Sequence, residues 1–341
     1  MFSNKYSYQC FLITSIVFTI AFCLPESVYP MKWGYDSMKI RGDIYDFDLD
    51  GSFYYTSVLL YFAGDSSAGV IVFLSSIIWV YVVTSFVKEK YTSVVYLVAF
   101  VPMCLLNLIW PAKETVVILM TVLCCCLLKR ANALSLALVV VLYAAYAYFV
   151  RSYYFIILAI FLFLFAAAAF RNRPVYIYNL KFFKLNKKFF VILAAFFVSF
   201  SFLLPYEFYE LSQGQRDVSN NYALLEGSFN VTSFYNVVEV QPGVNFILNY
   251  LWAILNIFFP FMAGVGVNQL LLFLFNCAIL FCFYSCSKLK LVEPCFLMFF
   301  AHLFVLLIFE PDQGSYLRHI LSSSVYLFPF LSSSVIRFYE K

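Results

Sequence analysis

Two apolar runs separated by a short polar turn stand at residues 132–170, which read NALSLALVVVLYAAYAYFVRSYYFIILAIFLFLFAAAAF. Each run is close to the roughly 20 apolar residues that an α-helix needs to cross the hydrocarbon core of a bilayer. The turn between them holds one charged residue, Arg151. The whole chain is 64% hydrophobic and 12% charged. These features predict an all-α, polytopic integral membrane protein.

Apolar runs of this kind recur along the chain. The first lacks small residues of the kind found at signal-peptide cleavage sites, since it ends in Phe22-Cys23-Leu24, and we interpret it as a retained helix. We predict ten spans, at about 10–24, 69–87, 92–110, 114–128, 132–150, 154–170, 189–205, 268–286, 294–309 and 319–336. Residues 1–341 therefore form a single predicted transmembrane domain, with outer loops at about 25–68 and 206–267.

Lysine and arginine gather in every second loop between these runs. If those loops are cytoplasmic, as the positive-inside rule requires, the inner side carries 15 of the 22 basic residues and only three of the 18 acidic ones. Both termini are then cytoplasmic. The cytoplasmic segment 171–188 alternates lysines with aromatic residues, and we expect it to lie on the anionic inner leaflet.

One apolar stretch, residues 246–264, does not fit this alternation. It contains two asparagines and a proline, and counting it as a full span would place Lys288 and Lys290 outside. We therefore predict a re-entrant or interfacial segment on the outer face. Irregular backbone at membrane depth requires surrounding protein or a water-filled cavity, so this segment is expected at the wall of an outward-facing pocket.

Four basic residues are predicted to lie outside, next to helix ends: Lys113, Arg151, Arg216 and Arg318. Arg151 is the most informative, because an arginine at the outer end of a span works against the insertion bias. Its guanidinium could extend to lipid headgroups or pair with a neighbouring acid. Alternatively, it could bind a phosphate or diphosphate, whose geometry a guanidinium matches with two hydrogen bonds.

Two short polar segments at the same face carry further candidates. In one, Lys113 could contact a substrate phosphate and Glu114 could position it or a sugar hydroxyl; otherwise the pair belongs to a capped, solvated turn. The other segment, residues 310–319, ends in Arg318 and His319. Arg318 could neutralise a phosphate leaving group and His319 could relay a proton, or the segment pairs internally as an ordinary loop.

The sequence carries no strong metal or cofactor motif. The cysteines lie almost wholly in apolar runs without a CxxC pair, and we predict that they are core residues. The run D-x-D-x-D-G at residues 46–51 begins like a calcium loop, but its twelfth position is Ser57 rather than glutamate. This acidic loop could bind a divalent cation, supply a general base such as Asp50, or be simply solvated. His302, within a span, is expected to hydrogen-bond between helices.

Three segments together resemble a known family: Asp50-Gly51-Ser52-Phe53-Tyr54-Tyr55, Pro111-Ala112-Lys113-Glu114 and Arg151-Ser152-Tyr153-Tyr154. In this arrangement the chain is similar to the Wzy-type O-antigen and capsular polysaccharide polymerases of bacteria. It is more loosely similar to GT-C-type membrane glycosyltransferases. Ala112 departs from the Ser-Lys-Glu pattern that is common in such proteins.

The resemblance implies an enzyme of the bacterial inner membrane that acts on undecaprenyl-diphosphate-linked oligosaccharide. One repeat unit would be transferred as a block to another on the periplasmic side, with release of the lipid diphosphate, during lipopolysaccharide O-antigen or capsule synthesis. Besides the bilayer, a chain-length regulator protein is a candidate partner. Neither a nucleic acid nor a cofactor is expected.

The resemblance also suggests roles for the outer residues. Arginine side chains would stabilise the diphosphate charge, and a carboxylate or imidazole would take the acceptor proton. The candidates for the diphosphate are Arg151 and Arg318, assisted by Lys113. The candidates for the base are Glu114, Asp50 and His319, and further substrate contacts are expected from Arg216, Tyr153, Tyr154 and Asp312.

Two rival functions remain open at this level. A GT-C-type transferase that uses a polyprenyl-phosphate sugar donor would need an essential Asp or Glu in the first outer loop, so Asp46, Asp48 or Asp50 would matter more than Arg151. A lipid-linked glycan flippase or another transporter would favour charged residues at the bilayer midplane. His302 is the one ionisable residue well inside a predicted span, which favours an enzyme with a site at one face.

Overall fold

The structure is a computed structural model that describes residues 4–25, 51–107, 109–130, 132–169, 175–177, 180–184, 187–225, 233–262, 264–289 and 291–331, with the isolated positions 28, 37, 40 and 41. Within these residues the protein is a bundle of helices with one small sheet.

The helices of the first half are α1 Lys5–Cys23, α2 Gly51–Leu60, α3 Asp65–Ser85, α4 Lys90–Val95, α5 Val101–Asn107, α6 Lys113–Arg130, α7 Ala133–Phe149 and α8 Tyr154–Ala169. Those of the second half are α9 Lys187–Leu203, α10 Tyr206–Tyr209, α11 Gln215–Leu225, α12 Val244–Phe258, α13 Val267–Leu289, α14 Pro294–Phe309, α15 Gln313–Ser323 and α16 Phe328–Leu331. Single π-turns at Tyr96–Phe100 and Glu210–Gly214 join α4 to α5 and α10 to α11, and 3₁₀ turns lie at Pro260–Met262 and Ser324–Leu327.

Fewer full-length spans are present than the ten predicted. In the described part of the chain, three helices are long and apolar enough to cross a membrane: Lys5–Cys23, Ser66–Ser85 and Val267–Tyr284. A fourth is possible if the pair Val191–Leu203 and Tyr206–Asn221, bent by 104°, counts as one span. Five other apolar helices are only 10–17 residues long.

Local breaks explain part of this difference. The predicted span 92–110 is interrupted by the π-turn at Tyr96–Phe100. Up to residue 331, where the described part ends, the predicted span 319–336 is the end of α15, a 3₁₀ turn and the short helix α16. There, Ser322 Oγ donates to His319 O at 2.7 Å. Such local hydroxyl bonds compete with regular helix geometry, which a hydropathy count does not register.

The helix ends follow from capping residues that the sequence contains. The Asn132 side chain accepts a hydrogen bond from Ser135 N at 2.7 Å and begins α7, and the Asp312 side chain accepts one from Ser315 N at 2.9 Å and begins α15. Both replace an intrahelical partner that the first turn lacks. Glu114 lies in the first turn of α6, where the helix dipole favours a negative charge.

Helix α14 is the centre of the core, and nearly all of its side chains are buried. It packs against α8, α12 and α15. At its middle, His302 Nε2 lies 2.7 Å from Tyr143 Oη, which lies 2.8 Å from Tyr326 Oη. The expectation that His302 hydrogen-bonds between helices is therefore confirmed. This network ties α14 to α7 and to the turn after α15.

The stretch predicted to be re-entrant or interfacial forms α12, a 3₁₀ turn and the start of α13. At one end of α12, Gln213 Nε2 donates to Phe246 O at 3.0 Å. At the other end, Gln313 Nε2 donates to Asn256 O at 2.8 Å. Both glutamines belong to segments that flank the turn between α14 and α15. These contacts attach both ends of α12 to neighbouring segments, and the re-entrant or interfacial position of the stretch stays a prediction.

The expectation of an all-α protein is confirmed for the described residues, apart from three short strands. Strand β1 (Val175–Ile177) pairs antiparallel with β2 (Leu180–Lys184), and β2 pairs antiparallel with β3 (Leu291–Val292). The sequence around β1 and β2 contains β-branched and aromatic residues such as Val175, Tyr176 and Ile177, which favour strands. The membrane-surface position expected for the segment stays a prediction.

Candidate functional site

The candidate site lies where three helix ends meet. Glu114 is in the first turn of α6, Arg151 is in the turn between α7 and α8, and Glu310 follows the last residue of α14. His319 reaches them from α15. The structure therefore brings together three residues that the sequence singled out, and adds Glu310.

Arg151 is held by contacts on three sides. Its backbone N–H donates to Tyr146 O at 3.2 Å, and so anchors the residue to the end of α7. Its Nη1 donates to Tyr153 Oη at 3.2 Å, and its Nη2 donates to Glu114 Oε1 at 3.1 Å. The Arg151 side chain is 13% exposed and the Glu114 side chain is 2% exposed. Buried charges need such pairing, because an unpaired ion in the interior is costly.

His319 lies between two carboxylates. Its Nδ1 is 2.5 Å from Glu310 Oε1, and its Nε2 is 3.0 Å from Glu114 Oε1. The Nε2 contact is an ion pair when the imidazole is protonated. Glu310 is fixed further by Ser315 Oγ, which donates to its Oε2 at 2.6 Å. An imidazolium in this position compensates both negative charges.

The ionisation of His319 and Glu310 follows from this arrangement. Burial alone lowers the pKa of His319, but the two carboxylates outweigh it and hold the pKa above its ordinary value of 6.5. Burial alone raises the pKa of Glu310, but His319, with Ser315 and Arg151, holds it below 4.5. At neutral pH the pair therefore favours an imidazolium against a carboxylate. With Arg151 and Glu114, the cluster has two positive and two negative charges.

The second carboxylate oxygen of Glu114 is the unusual atom of the site. In the part of the chain that the structure describes, Glu114 Oε2 is buried and accepts no hydrogen bond. A buried acceptor without a donor is costly and rare. It is the kind of atom that a hydroxyl group of a substrate would satisfy.

Aromatic rings form one side of the cluster. The Tyr153 ring stacks on Phe309 with centroids 5.7 Å apart and an interplanar angle of 22°. Burial raises the pKa of Tyr153 to about 12, so its hydroxyl is neutral at pH 7. Tyr154 faces the other way: it is 2% exposed and packs edge-on against His302. Tyr154 is therefore a core residue in this structure, and its contact with a substrate stays a prediction.

Two more predicted substrate contacts have structural roles instead. Arg216 is completely buried, and its guanidinium binds backbone carbonyl groups at the end of α14. Asp312 is the N-cap of α15, as its hydrogen bond to Ser315 N shows. In both cases the sequence predicted a contact with a substrate, whereas in the structure these polar groups form hydrogen bonds at helix ends.

Of the remaining predicted residues, two lie at the edge of the cluster and one lies outside the residues that the structure describes. Arg318 is partly buried and contributes a favourable charge interaction to Glu114. The Lys113 ammonium lies 3.2 Å from the centroid of the Phe53 ring, a cation–π contact. Asp50 lies outside the described residues.

Glu310 is the residue of the candidate site to which the sequence assigned no role, although it lies in the polar segment 310–319. A signal existed, since Glu310 is an acid at the end of an apolar run, and Ser315 and His319, four residues apart, share one face of a following helix. That spacing alone does not tell whether the helix turns these side chains back towards the acid.

The cluster combines a cation for an anionic group with carboxylate and imidazole groups for proton transfer. Within the described ranges, no group of three or more His, Cys, Asp or Glu side chains is placed to hold a metal ion. A scan of protein-family models, a search of curated proteins and a search of solved structures each find no match. The geometry of the site and the sequence resemblance are therefore the two indications of function.

Proposed function

We propose that this protein is a membrane-embedded polysaccharide polymerase of the Wzy type. It would join lipid-diphosphate-linked oligosaccharide repeat units on the periplasmic side of the bacterial inner membrane. The observation that carries the proposal is the contact of Arg151 with a buried carboxylate beside His319, whose second oxygen accepts no hydrogen bond from any residue that the structure describes. A transferase for such substrates needs these parts: a cation for the departing diphosphate and a base for the attacking hydroxyl.

The reaction has a simple balance. A hydroxyl oxygen of the acceptor sugar forms a bond to the anomeric carbon of the donor. The bond from that carbon to the diphosphate oxygen breaks, and its electron pair leaves with the diphosphate. The hydroxyl proton goes to a base of the protein. We assign Arg151 to the charge that develops on the diphosphate, with Arg318 nearby.

The geometry favours Glu114 over His319 as the resting base. The raised pKa of His319 means that it already carries its proton near neutral pH. Glu114 is ionised in its pair with Arg151 and has one vacant oxygen among the described contacts. If the arginine turns towards the diphosphate, Glu114 loses its counter-ion and becomes more basic. Binding of the donor would thus activate the base.

Charge placement supports an enzyme more than a transporter. The buried charges of the cluster lie at one end of the helices, at a turn and at helix ends. A transporter would be expected to use ionisable groups near the middle of its spans. For the GT-C alternative, the required acid falls in residues 43–50, outside the described residues, so no observation favours it over polymerisation.

The test is a surface-polysaccharide ladder gel from a strain that lacks this gene. Complementation with the wild type should restore a ladder, and Arg151→Ala and Arg151→Lys should leave single repeat units on the lipid anchor. Lysine keeps the charge but lacks the planar fork. Arg130→Ala, at the opposite end of α6, is the matched control and should restore the ladder.

The outcomes separate the alternatives when membrane levels of each variant are checked by immunoblot. Loss of even the single repeat in the deletion strain would indicate a glycosyltransferase or a flippase. A deletion strain with an unchanged ladder would refute the proposal.

A further inference from the structure

Arg216 is a fully buried cation that caps the most buried helix of the protein. Its Nε donates to Glu310 O at 3.1 Å, and its Nη2 donates to Leu307 O and Ile308 O, each at 3.0 Å. These carbonyl groups are at the C-terminal end of α14, where intrahelical donors are missing and the dipole favours a positive charge. The remaining Nη1 donates to Asn236 Oδ1 at 3.0 Å.

The side chains around Arg216 hold it in one orientation. Asn236 Nδ2 donates to Asp217 Oδ2 at 3.0 Å and to Gln213 O at 2.7 Å. The Phe234 ring packs on the guanidinium, with the arginine Cζ 4.8 Å from the ring centroid. The guanidinium is thus fixed by an aromatic face and an amide as well as by the carbonyl groups.

The same outer segment holds the next residues of the turn. Asn220 Nδ2 donates to Pro311 O at 3.1 Å, and Ser233 and Asp312 form an isolated antiparallel bridge. Together with Arg216, these contacts hold the backbone of residues 310–312. We call residues 213–225 and 233–236 the outer clamp.

The turn at residues 310–312 carries the Glu310 carboxylate, which orients His319. While its backbone carbonyl accepts from Arg216, the Glu310 side chain contacts His319 Nδ1 and accepts from Ser315. Moving this backbone by about 1 Å could lengthen the contact of 2.5 Å to about 3.5 Å, which is past the ordinary range of a hydrogen bond.

We propose that Arg216 is a positioning residue that holds the Glu310 carboxylate against His319 through the backbone of α14. It does not touch the substrate. Its effect on His319 is a property of the fold alone, whereas its effect on catalysis rests on the proposed function.

The environment of His319 provides a readout that needs no activity. The charged groups that face the imidazole are Glu114 from α6, Arg151 from the α7–α8 turn and Glu310 from the end of α14. Arg318 adjoins it on α15. Since the chain has two histidines, a protein labelled with ¹³C and ¹⁵N at histidine should yield two sets of imidazole signals. His302→Gln assigns the signal of His319.

The experiment is an NMR pH titration of the purified, full-length protein in lipid nanodiscs. In the wild type we expect the pKa of His319 above 6.5. In Arg216→Lys, which keeps the charge but cannot supply the fork, we expect the pKa to fall by about one unit. Asn249→Ala is the matched control, because Asn249 binds Val238 O and Gln213 in the same region without contacting residues 307–312. It should leave the pKa of His319 unchanged.

An unchanged pKa in a folded Arg216→Lys protein would overturn the proposal, and so would an equal shift in Asn249→Ala. If Arg216→Lys does not fold, Asn220→Ala decides, because it loosens the same turn at Pro311 without leaving a charge buried. A smaller shift in the same direction supports the proposal, and no shift contradicts it.

A ladder gel separates this proposal from the proposed function. If the wild type produces no ladder, polymerase activity is refuted while the titration still decides the role of Arg216. If the wild type produces a ladder, Asn220→Ala and Arg216→Lys should shorten it and Asn249→Ala should not.

Discussion

Arg151 Nη2 lies 3.1 Å from Glu114 Oε1, although 37 residues separate them along the chain. The contact joins the start of α6 to the turn after α7, and both side chains are mostly buried. It gives the site its two chemical halves, a cation that can meet an anionic group and a carboxylate that the cation keeps ionised.

The pair should be strongly coupled in stability. Arg151→Ala leaves the Glu114 charge buried without its main partner, and we expect a loss of about 3 kcal/mol in the free energy of unfolding. The double variant Arg151→Ala/Glu114→Gln removes that charge as well and should recover about 1 kcal/mol or more. Tryptophan fluorescence during thermal unfolding in detergent measures both. A double variant as unstable as the sum of the single variants would contradict a direct interaction.

Stability should pass through a maximum between weakly acidic and neutral pH. Because the folded pKa of His319 is above 6.5, its stabilisation is complete below pH 6.5 and is lost as the pH rises through the folded value. Because the folded pKa of Glu310 is below 4.5, its stabilisation is present above pH 4.5 and is lost as the pH falls through the folded value.

The measurement is the midpoint of thermal unfolding as a function of pH from about 3 to 9. His319→Gln should remove the decline on the alkaline side, and Glu310→Gln should weaken the decline on both sides. Identical profiles for wild type and His319→Gln would show that the imidazole does not gain its charge in this site.

The hydroxyl of Tyr153 should contribute to catalysis independently of its ring. Tyr153→Phe keeps the stacking on Phe309 but loses the acceptor for Arg151 Nη1. A hydrogen bond to a charged group contributes about 1.5 kcal/mol or more, so the polymerisation rate should fall about tenfold. The rate is measured with purified protein and lipid-linked repeat units. Unchanged rates would mean that the hydroxyl does not orient Arg151.

Asp312 should act through stability rather than through the substrate. Asp312→Ala removes the N-cap of α15 and should cost about 1 kcal/mol. Asp312→Asn keeps a capping oxygen and should be nearly neutral for both stability and the polysaccharide ladder. If Asp312→Asn folds normally but abolishes the ladder, the carboxylate has a direct chemical role and the structural assignment is wrong.

The candidate site was predictable in its individual residues but not in its pairings. Arg151 stood out because it opposes the charge bias of membrane insertion, and Glu114 and His319 stood out as ionisable groups in polar turns. Glu310 lay in a polar segment that the sequence singled out, but no chemical role was assigned to it. Its partnership with His319 depends on how α15 folds back along α14 and on the outer clamp that holds the turn.

Arg216 shows why a charge pattern can mislead. An arginine in an outer loop and a buried helix cap have the same sequence signal, a cation among polar residues. Burial decides between them, and burial depends on whether the loop folds over the end of α14. The carbonyl groups that Arg216 binds have no signature of their own, because every helix ends in unpaired carbonyl groups.

The sequence by itself determined that the chain forms apolar helices, where several of them begin, and which few charges stand next to them. Those properties depend on local composition, on capping side chains and on the exclusion of charge from apolar runs. The tertiary structure alone decided which helices are long and unbroken, that residues 175–177 and 180–184 form strands, and which charges neutralise one another. Those outcomes depend on contacts between distant segments, in which each buried charge takes whichever partner the packing brings within about 3 Å.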